Sequence, residues 1–190
     1  METFKLEGQI RAKIGKTASA SARKEQLVPC VLYGNDGNVN FNVDYNKLKK
    51  VIFTDKFIIA EITLEGKEIR AIVKEIQFHP VTDKMLHIDF QQLVDGKKVK
   101  TEIPIVLKGF AKGQQAGGKL ELKIRKLKVK ADSKNVPSKI EVDITDLEMG
   151  KSLRVRDIKV EGLDIITSGA IPIATVSVPR ALRGATAETK

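Results

Sequence analysis

The chain carries two histidines, His79 and His87, both within the stretch HPVTDKMLHIDFQ, and Asp89 follows the second by two positions. An imidazole close to a carboxylate is the usual material of an acid/base pair or a metal site. Catalysis would also need a nucleophile or bound water, an oxyanion site and a pocket. The sequence offers no G-x-S-x-G, no H-E-x-x-H and no third ligand at an obvious spacing. No enzymatic activity, cofactor or metal is therefore expected. In MLHIDF, Leu86, Ile88 and Phe90 alternate with Met85, His87 and Asp89, so on a strand His87 and Asp89 share the face opposite the apolar one. Two readings remain. One is a histidine satisfied structurally by its neighbours; the other is a polar binding face, with Asp89 accepting base amino protons and His87 donating to phosphate or base.

A second constellation is Arg11, Lys16, Ser19 and Arg23, spaced by small Ala and Ser residues. Arginine presents a planar fork to phosphate or guanine and lysine a mobile point charge, while small neighbours let a backbone approach a nucleic-acid surface. The same charges would equally suit a solvated face. Tyr33, after the apolar run LVPCVL and before Gly34, reads either as the edge of a core or as an exposed ring for ribose packing.

The elements that must position these groups are mostly strands. In TFKLEGQIRAKI, Phe4, Leu6, Ile10, Ala12 and Ile14 fall on one side, with Lys5, Glu7, Gln9, Arg11 and Lys13 on the other. VNFNV alternates in the same way, and FIIAEITLEGKEIRAIVKEIQF predicts a hairpin turning at Glu65-Gly66. Asp44 is a candidate N-cap for a short helix carrying Leu48, Val51 and Ile52. Beyond residues 92 to 98 the strand grammar restarts: Ile103, Ile105 and Leu107 at period two, with Pro104 suggesting an edge strand. AKGQQAGGK predicts a mobile surface loop at 112–119. KLELKIRKLKVK changes parity at Arg125-Lys126, as a bulge or strand break requires, and SKIEVDI, LRV and IATVSV read as further short strands. The fold class is mainly β.

Composition narrows the partners. With 34 Lys and Arg against 24 Asp and Glu, the net charge is +10, which points to a polyanion. Residues 1–93 hold 14 basic and 12 acidic side chains, so the base in that half is a local patch near its start rather than a general excess. An aromatic content of 5% without Trp argues against gripping single strands by stacking, and for reading shape and phosphates. Neither a secretory signal nor a spanning apolar segment is apparent, so a cytoplasmic location without membrane association is expected. Cys30, the single cysteine, is expected to be a small buried hydrophobe rather than a reactive thiol.

RAKIGK, then SARKEQLVPCVLYG, then EIQFHPVTDKMLHIDF resemble, in order and spacing, the bacterial large-subunit ribosomal protein L twenty-five in its long two-domain form, the general stress protein CTC family. AGGKLELKIRKLKVKA and VPSKIEVDITDLEMGKSLRVRDI resemble its second domain, so the likeness spans nearly the whole chain. The resemblance implies a closed β-barrel with short helices over residues 1–93, binding the loop E region of 5S ribosomal RNA, followed by a second all-β domain over 94–180; residues 181–190 read as a flexible tail. Carried over residue by residue, the RNA-binding set would be Arg11, Lys16, Ser19, Arg23, Tyr33, Lys74, Gln77, His87 and Asp89. Where many members have two arginines between Ser19 and Arg23, this chain has Ala20 and Ser21, which implies fewer phosphate contacts. The implied role is that of a monomer within the large subunit, with 23S ribosomal RNA and neighbouring ribosomal proteins as further partners. Two alternatives stay open: a tRNA anticodon-type recognition module, and a stress-induced protein-interaction module.

Overall fold

The computed structural model describes residues 2–34, 37–133, 136–158, 160 and 162–179; the expected tail at 181–190 lies outside the described residues. The chain is mainly β and forms two compact units, one of Met1–Val99 with Asp132–Ser138 and one of Lys100–Ala131 with Lys139–Lys190.

The first unit is built on β1 (Glu2–Ile10), β2 (Leu27–Gly34), β3 (Gly37–Asp44), β4 (Ile58–Leu64), β5 (Lys67–Phe78) and β6 (Met85–Gln92). These close into a barrel in the order β1-β3-β2-β6-β5-β4, sealed by parallel pairing of β1 with β4 from Glu2↔Ile58 to Gly8↔Leu64. Period-two alternation sends Leu6, Cys30, Leu32, Phe41, Val43, Ile62, Ile88 and Phe90 to a shared interior. Closure requires a glycine at position 8, because a Cβ there would lie 2.6 Å from Leu64 and 2.7 Å from Phe41. The β4–β5 hairpin turns as expected: Glu65 and Gly66 have φ of 48° and 83°, the positive pair a type I′ turn demands.

Two bulges set the faces of β5 and β6. Val73 pairs with Phe90 and Glu75 with Asp89, which leaves Lys74 as the extra residue on β5. Gln77 pairs with His87 but Phe78 with Met85, which leaves Leu86 extra on β6. That second bulge corrects the simple alternation expected for MLHIDF: Met85 joins Ile88 and Phe90 in the core at 2% exposure, while Leu86 is only half-buried.

Two helices flank the strands. α1 (Lys16–Lys24) occupies the small-residue stretch, where no helix was read from the pattern; its alanines are strong helix formers but bury only Ala22, too little to mark an apolar stripe. α2 (Tyr45–Ile52) starts where expected, with the Asp44 carboxylate accepting from the Asn46 and Lys47 amides at 2.8 and 3.2 Å. The segment 132–138 returns to this unit from the second half of the chain. Its Val136 is 1% exposed, and the Ser138 carbonyl accepts from the Phe57 amide at 2.8 Å.

The second unit holds a sheet and a smaller sheet. After β7 (Lys98–Lys108) come α3 (Lys112–Gln115), β8 (Lys119–Leu122), β9 (Lys126–Asp132), β10 (Ile140–Asp143), β11 (Ser152–Arg154), β12 (Leu163–Ile165) and β13 (Pro172–Ser177). The sheets run β10-β7-β9-β12 and β11-β13-β8. Two expectations need correction. β7 is interior, not an edge; Pro104 is accommodated because parallel pairing with β10 begins only at Ile105. The parity change at Arg125-Lys126 is the strand break its pattern predicted, between β8 and β9, which lie in different sheets. Residues 112–119 are no free loop either. The Lys112 and Gly113 amides donate to Thr145 and Leu147 carbonyls at 3.1 and 2.9 Å, and Gly113 is buried where a Cβ would sit 2.5 Å from the Met149 nitrogen.

Candidate nucleic-acid interface

With the apolar set of β2, β3 and β6 turned inward, their alternate residues lie on the outer wall of the barrel. Register puts Asp89 beside Val31 on one side and Glu75 on the other, Gln77 opposite His87, and Tyr33 opposite Gln91. His87 and Asp89 therefore share the outer face, as their spacing predicted, and neither points into the interior.

Asp89 is the hub of this face. Its Oδ2 accepts from the Tyr33 hydroxyl at 3.0 Å and its Oδ1 lies 2.8 Å from His87 Nδ1. A carboxylate only accepts, so His87 Nδ1 must carry the hydrogen and the neutral ring offers Nε2 as an acceptor. Each Asp89 oxygen already holds one donor from the protein, and His87 keeps Nε2 for an outside partner, an acceptor in the neutral ring and a donor in the charged one. The Asp89 hydrogen bond, with burial and the charges of Asp89 and Glu75, holds the Tyr33 hydroxyl above the usual tyrosine range.

The cationic members arrive from β1's end and from α1. The Arg11 amide donates to the Asn40 carbonyl at 3.0 Å, extending the strand pairing by one residue, and its guanidinium donates to Ser19 Oγ at 3.0 Å. Arg23 Nε donates to the carbonyl of Leu86, the bulged residue, at 3.0 Å. Among the described residues its two terminal nitrogens hold no partner. Lys16 opens α1 and is exposed; Lys74 is exposed at its bulge. Some other barrel cations are neutralised, as in Lys5–Glu68 at 3.6 Å, Lys47–Glu7 at 2.5 Å and Lys56–Glu2 at 2.5 Å. Lys13, Lys16 and Lys24 have no such carboxylate among the described residues, and with Arg11 and Arg23 they gather positive charge around α1.

All nine sequence-predicted residues thus belong to the first unit. Hydrogen bonds link Tyr33, His87 and Asp89 directly, Arg11 to Ser19, and Arg23 to β6; Gln77 enters by register, whereas Lys16 and Lys74 contribute charge at the margins. Asn40, Asn42 and Gln91 on the same outer wall were not singled out from sequence. For the two asparagines the signal was present in VNFNV, whose alternation repeats asparagine where a surface strand needs only some polar residue. Asn42 Oδ1 is buried with no hydrogen-bond partner among the described residues.

The rest of the catalytic vocabulary is absorbed by structure. His79 Nδ1 accepts from the Val81 and Thr82 amides at 3.3 Å each, capping the turn between β5 and β6. Cys30 is 0% exposed, and burial pushes its thiol far up. No group of three or more His, Cys, Asp or Glu suited to a metal occurs among the described residues.

Comparison with known proteins gives consistent matches. Residues 6–90 match the profile of the Ribosomal L25p family, and residues 98–180 that of the ribosomal protein TL5 C-terminal domain. The large ribosomal subunit protein bL25 of Porphyromonas gingivalis is 46% identical over 187 residues, 97% of each chain. Those of Phocaeicola vulgatus and Cytophaga hutchinsonii are 40% identical over 194 residues, 98% of each chain, and 39% identical over 183 residues, 96% of this chain and 95% of the other.

Proposed function

The chain belongs to the ribosomal L25p family, a structural constituent of the large ribosomal subunit, and we propose that within that subunit its barrel binds 5S ribosomal RNA in the loop E region through the outer wall of β2, β6 and β5 together with α1. The observation that carries this reading is the hydrogen-bonded set Tyr33–Asp89–His87 lying beside an α1 region whose lysines are not neutralised. Arg11, Lys16 and Arg23 supply phosphate contacts that position the RNA. Ser19 fixes the Arg11 fork. Gln77 and His87 read edges: the His87 Nε2 acceptor suits a ribose 2′-hydroxyl or a base amino group, and Tyr33 and Lys74 border the same surface. A regular RNA helix hides its major groove, so an internal loop with widened grooves is the target that such short side chains can reach.

The test is a gel shift of the full chain against 5S RNA, tRNA and a scrambled RNA, with chemical footprinting of the 5S complex. Preferred binding of 5S RNA and protection confined to an internal loop are expected. Asp89→Ala should weaken mainly the cognate complex, by roughly ten- to a hundredfold for loss of about 1–3 kcal/mol of edge discrimination, whereas Lys16→Ala should weaken all RNAs alike. Equal losses on cognate and scrambled RNA for both variants would refute the assignment, and a preference for tRNA would favour the anticodon-type module instead.

A further inference from the structure

Among the described residues of the first unit two pairs of phenylalanine rings meet, and they differ in what covers them. Phe41 and Phe90 lie inside the barrel at 0% exposure, whereas Phe53 and Phe78 meet on its outside, 55% and 40% exposed, with ring centroids 6.1 Å apart and planes inclined at 52°. Rings so inclined do not stack on each other, and each leaves ring surface to solvent. Chain path brings them together: Phe53 is the C-cap of α2, and β5 runs on to Phe78 well past Ala71, its last residue paired with β4. Alternation puts Gln77 and Phe78 on opposite faces of the β5–β6 hairpin, Gln77 opposite His87 and Phe78 against Phe53. The charge beside the rings is positive. Lys49 and Lys50 precede Phe53 by four and three residues, the spacing of neighbours on a helix, and both are exposed and hold no carboxylate among the described residues. Asp55 follows Phe53 and forms no ion pair with either lysine.

We propose that Phe53 and Phe78 form a stacking platform for one unpaired base of the bound RNA, with Lys49 and Lys50 taking the phosphates on either side of it. The proposal rests on the RNA-binding reading above and adds a second subsite to it. Two features favour RNA over an acidic protein segment. The exposed groups are rings, whose faces take any base, and cations without carboxylate partners stand next to them. The surface also continues, through successive residues of β5, from the face that carries Gln77 and His87. An aromatic content of 5% is too small for a track of stacked bases, yet two rings suffice for one. Every base has a π-face, so the platform adds affinity without choosing among bases; what it selects is a base turned out of the helix.

The test uses the full chain, its Phe53→Leu/Phe78→Leu variant and its Lys49→Gln/Lys50→Gln variant, titrated with 5S RNA and with 5S RNAs that each carry one abasic nucleotide at an unpaired position. Leucine keeps the patch apolar while removing the rings, and a circular dichroism spectrum checks that the fold is kept; the lysine variant, altered only at exposed side chains, is the second reading should it not be. The ring variant should bind intact 5S RNA about tenfold more weakly, a loss of the size that one stacked base supports. One abasic position should cost wild type the same factor and cost the ring variant nothing further, which identifies the base. For the lysine variant, the plot of log affinity against log salt should flatten by roughly one to one and a half units, at about 0.7 per phosphate lost. An unchanged slope overturns the phosphate contacts. Wild-type affinity of the ring variant overturns the platform and leaves the Asp89–His87 face standing, and so does a loss that adds to that of every abasic position. Failure of wild type to prefer 5S RNA sinks both readings together. Reduced sedimentation of the ring variant with ribosomes at undiminished RNA affinity would assign the rings to an acidic protein segment and reject RNA as their occupant.

Discussion

Asp89 holds two donors at once, and that arrangement distinguishes orienting from contacting. Tyr33→Phe removes one donor and frees one oxygen but leaves His87 aligned, so RNA affinity should fall by only a few fold, consistent with a single hydrogen bond worth about 0.5–1.5 kcal/mol. Asp89→Ala releases His87 as well and should cost more. A gel shift in which the two substitutions cost the same would show that Tyr33, not His87, carries the contact. The raised ionisation of Tyr33 gives an independent check. Because its folded value lies above the unfolded one, the protonated hydroxyl favours the folded arrangement at neutral pH, and this contribution fades as pH climbs through the folded value. Ultraviolet titration of a Tyr45→Phe chain, which leaves Tyr33 as the one tyrosine, should therefore show a midpoint above 10, returning toward 10 when Asp89→Ala is added.

At the scale of elements, closure and bulges decide what the face can present. Gly8→Ala forces a methyl against Leu64 and Phe41, an overpacking that typically costs about 1–3 kcal/mol, and urea denaturation should show the midpoint falling with an unchanged slope. On α1, Ala20 and Ser21 are exposed between Ser19 and Arg23, so Ala20→Arg/Ser21→Arg should steepen the salt dependence of RNA binding by roughly one to two units. What sequence revealed here, and what it concealed, follow from the strength of each signal. Strands such as β1 and β3 were legible because one face of each must be apolar, and the Glu65-Gly66 turn because few residues accept positive φ. α1 was not, since alanine supports a helix without creating an apolar stripe. The bulges at Lys74 and Leu86 were hidden because an extra residue is visible only against its partner strand; with them went the true neighbours of Arg23 and the side to which Met85 turns. Pro104 misled for a related reason: the extent of pairing on each side of β7 is a property of two strands, not one.

Over the whole molecule, charge and chain path matter more than any single contact. The second unit is the more basic by composition, yet its strands answer many of their cations locally: Lys123 lies 2.8 Å from Glu121, Lys112 2.7 Å from Asp146, and Glu141 meets both Lys108 and Lys139, which hold its carboxyl down to about 2. Salt-sensitive RNA affinity should accordingly reside in the first unit. A fragment of residues 1–99 should retain most of the salt slope of the full chain, measured by titration at several ionic strengths. The same fragment lacks Val136 and the Ser138 carbonyl, so it should melt several degrees below the corresponding transition of the full chain, as the loss of roughly 1.5–3 kcal/mol for one buried valine implies.

The return of 132–138 to the first unit also imposes an order in time. A polypeptide emerges from its own N-terminus onward, and the six barrel strands are complete at Gln92, yet the piece that finishes their unit is not made until synthesis has passed Ser138. At about 5–20 residues per second, that interval leaves a nascent barrel unfinished for roughly 2–9 s. During that window its uncovered apolar surface is open to chaperones, and a ribosomal RNA arriving early would meet a protein still awaiting its last part.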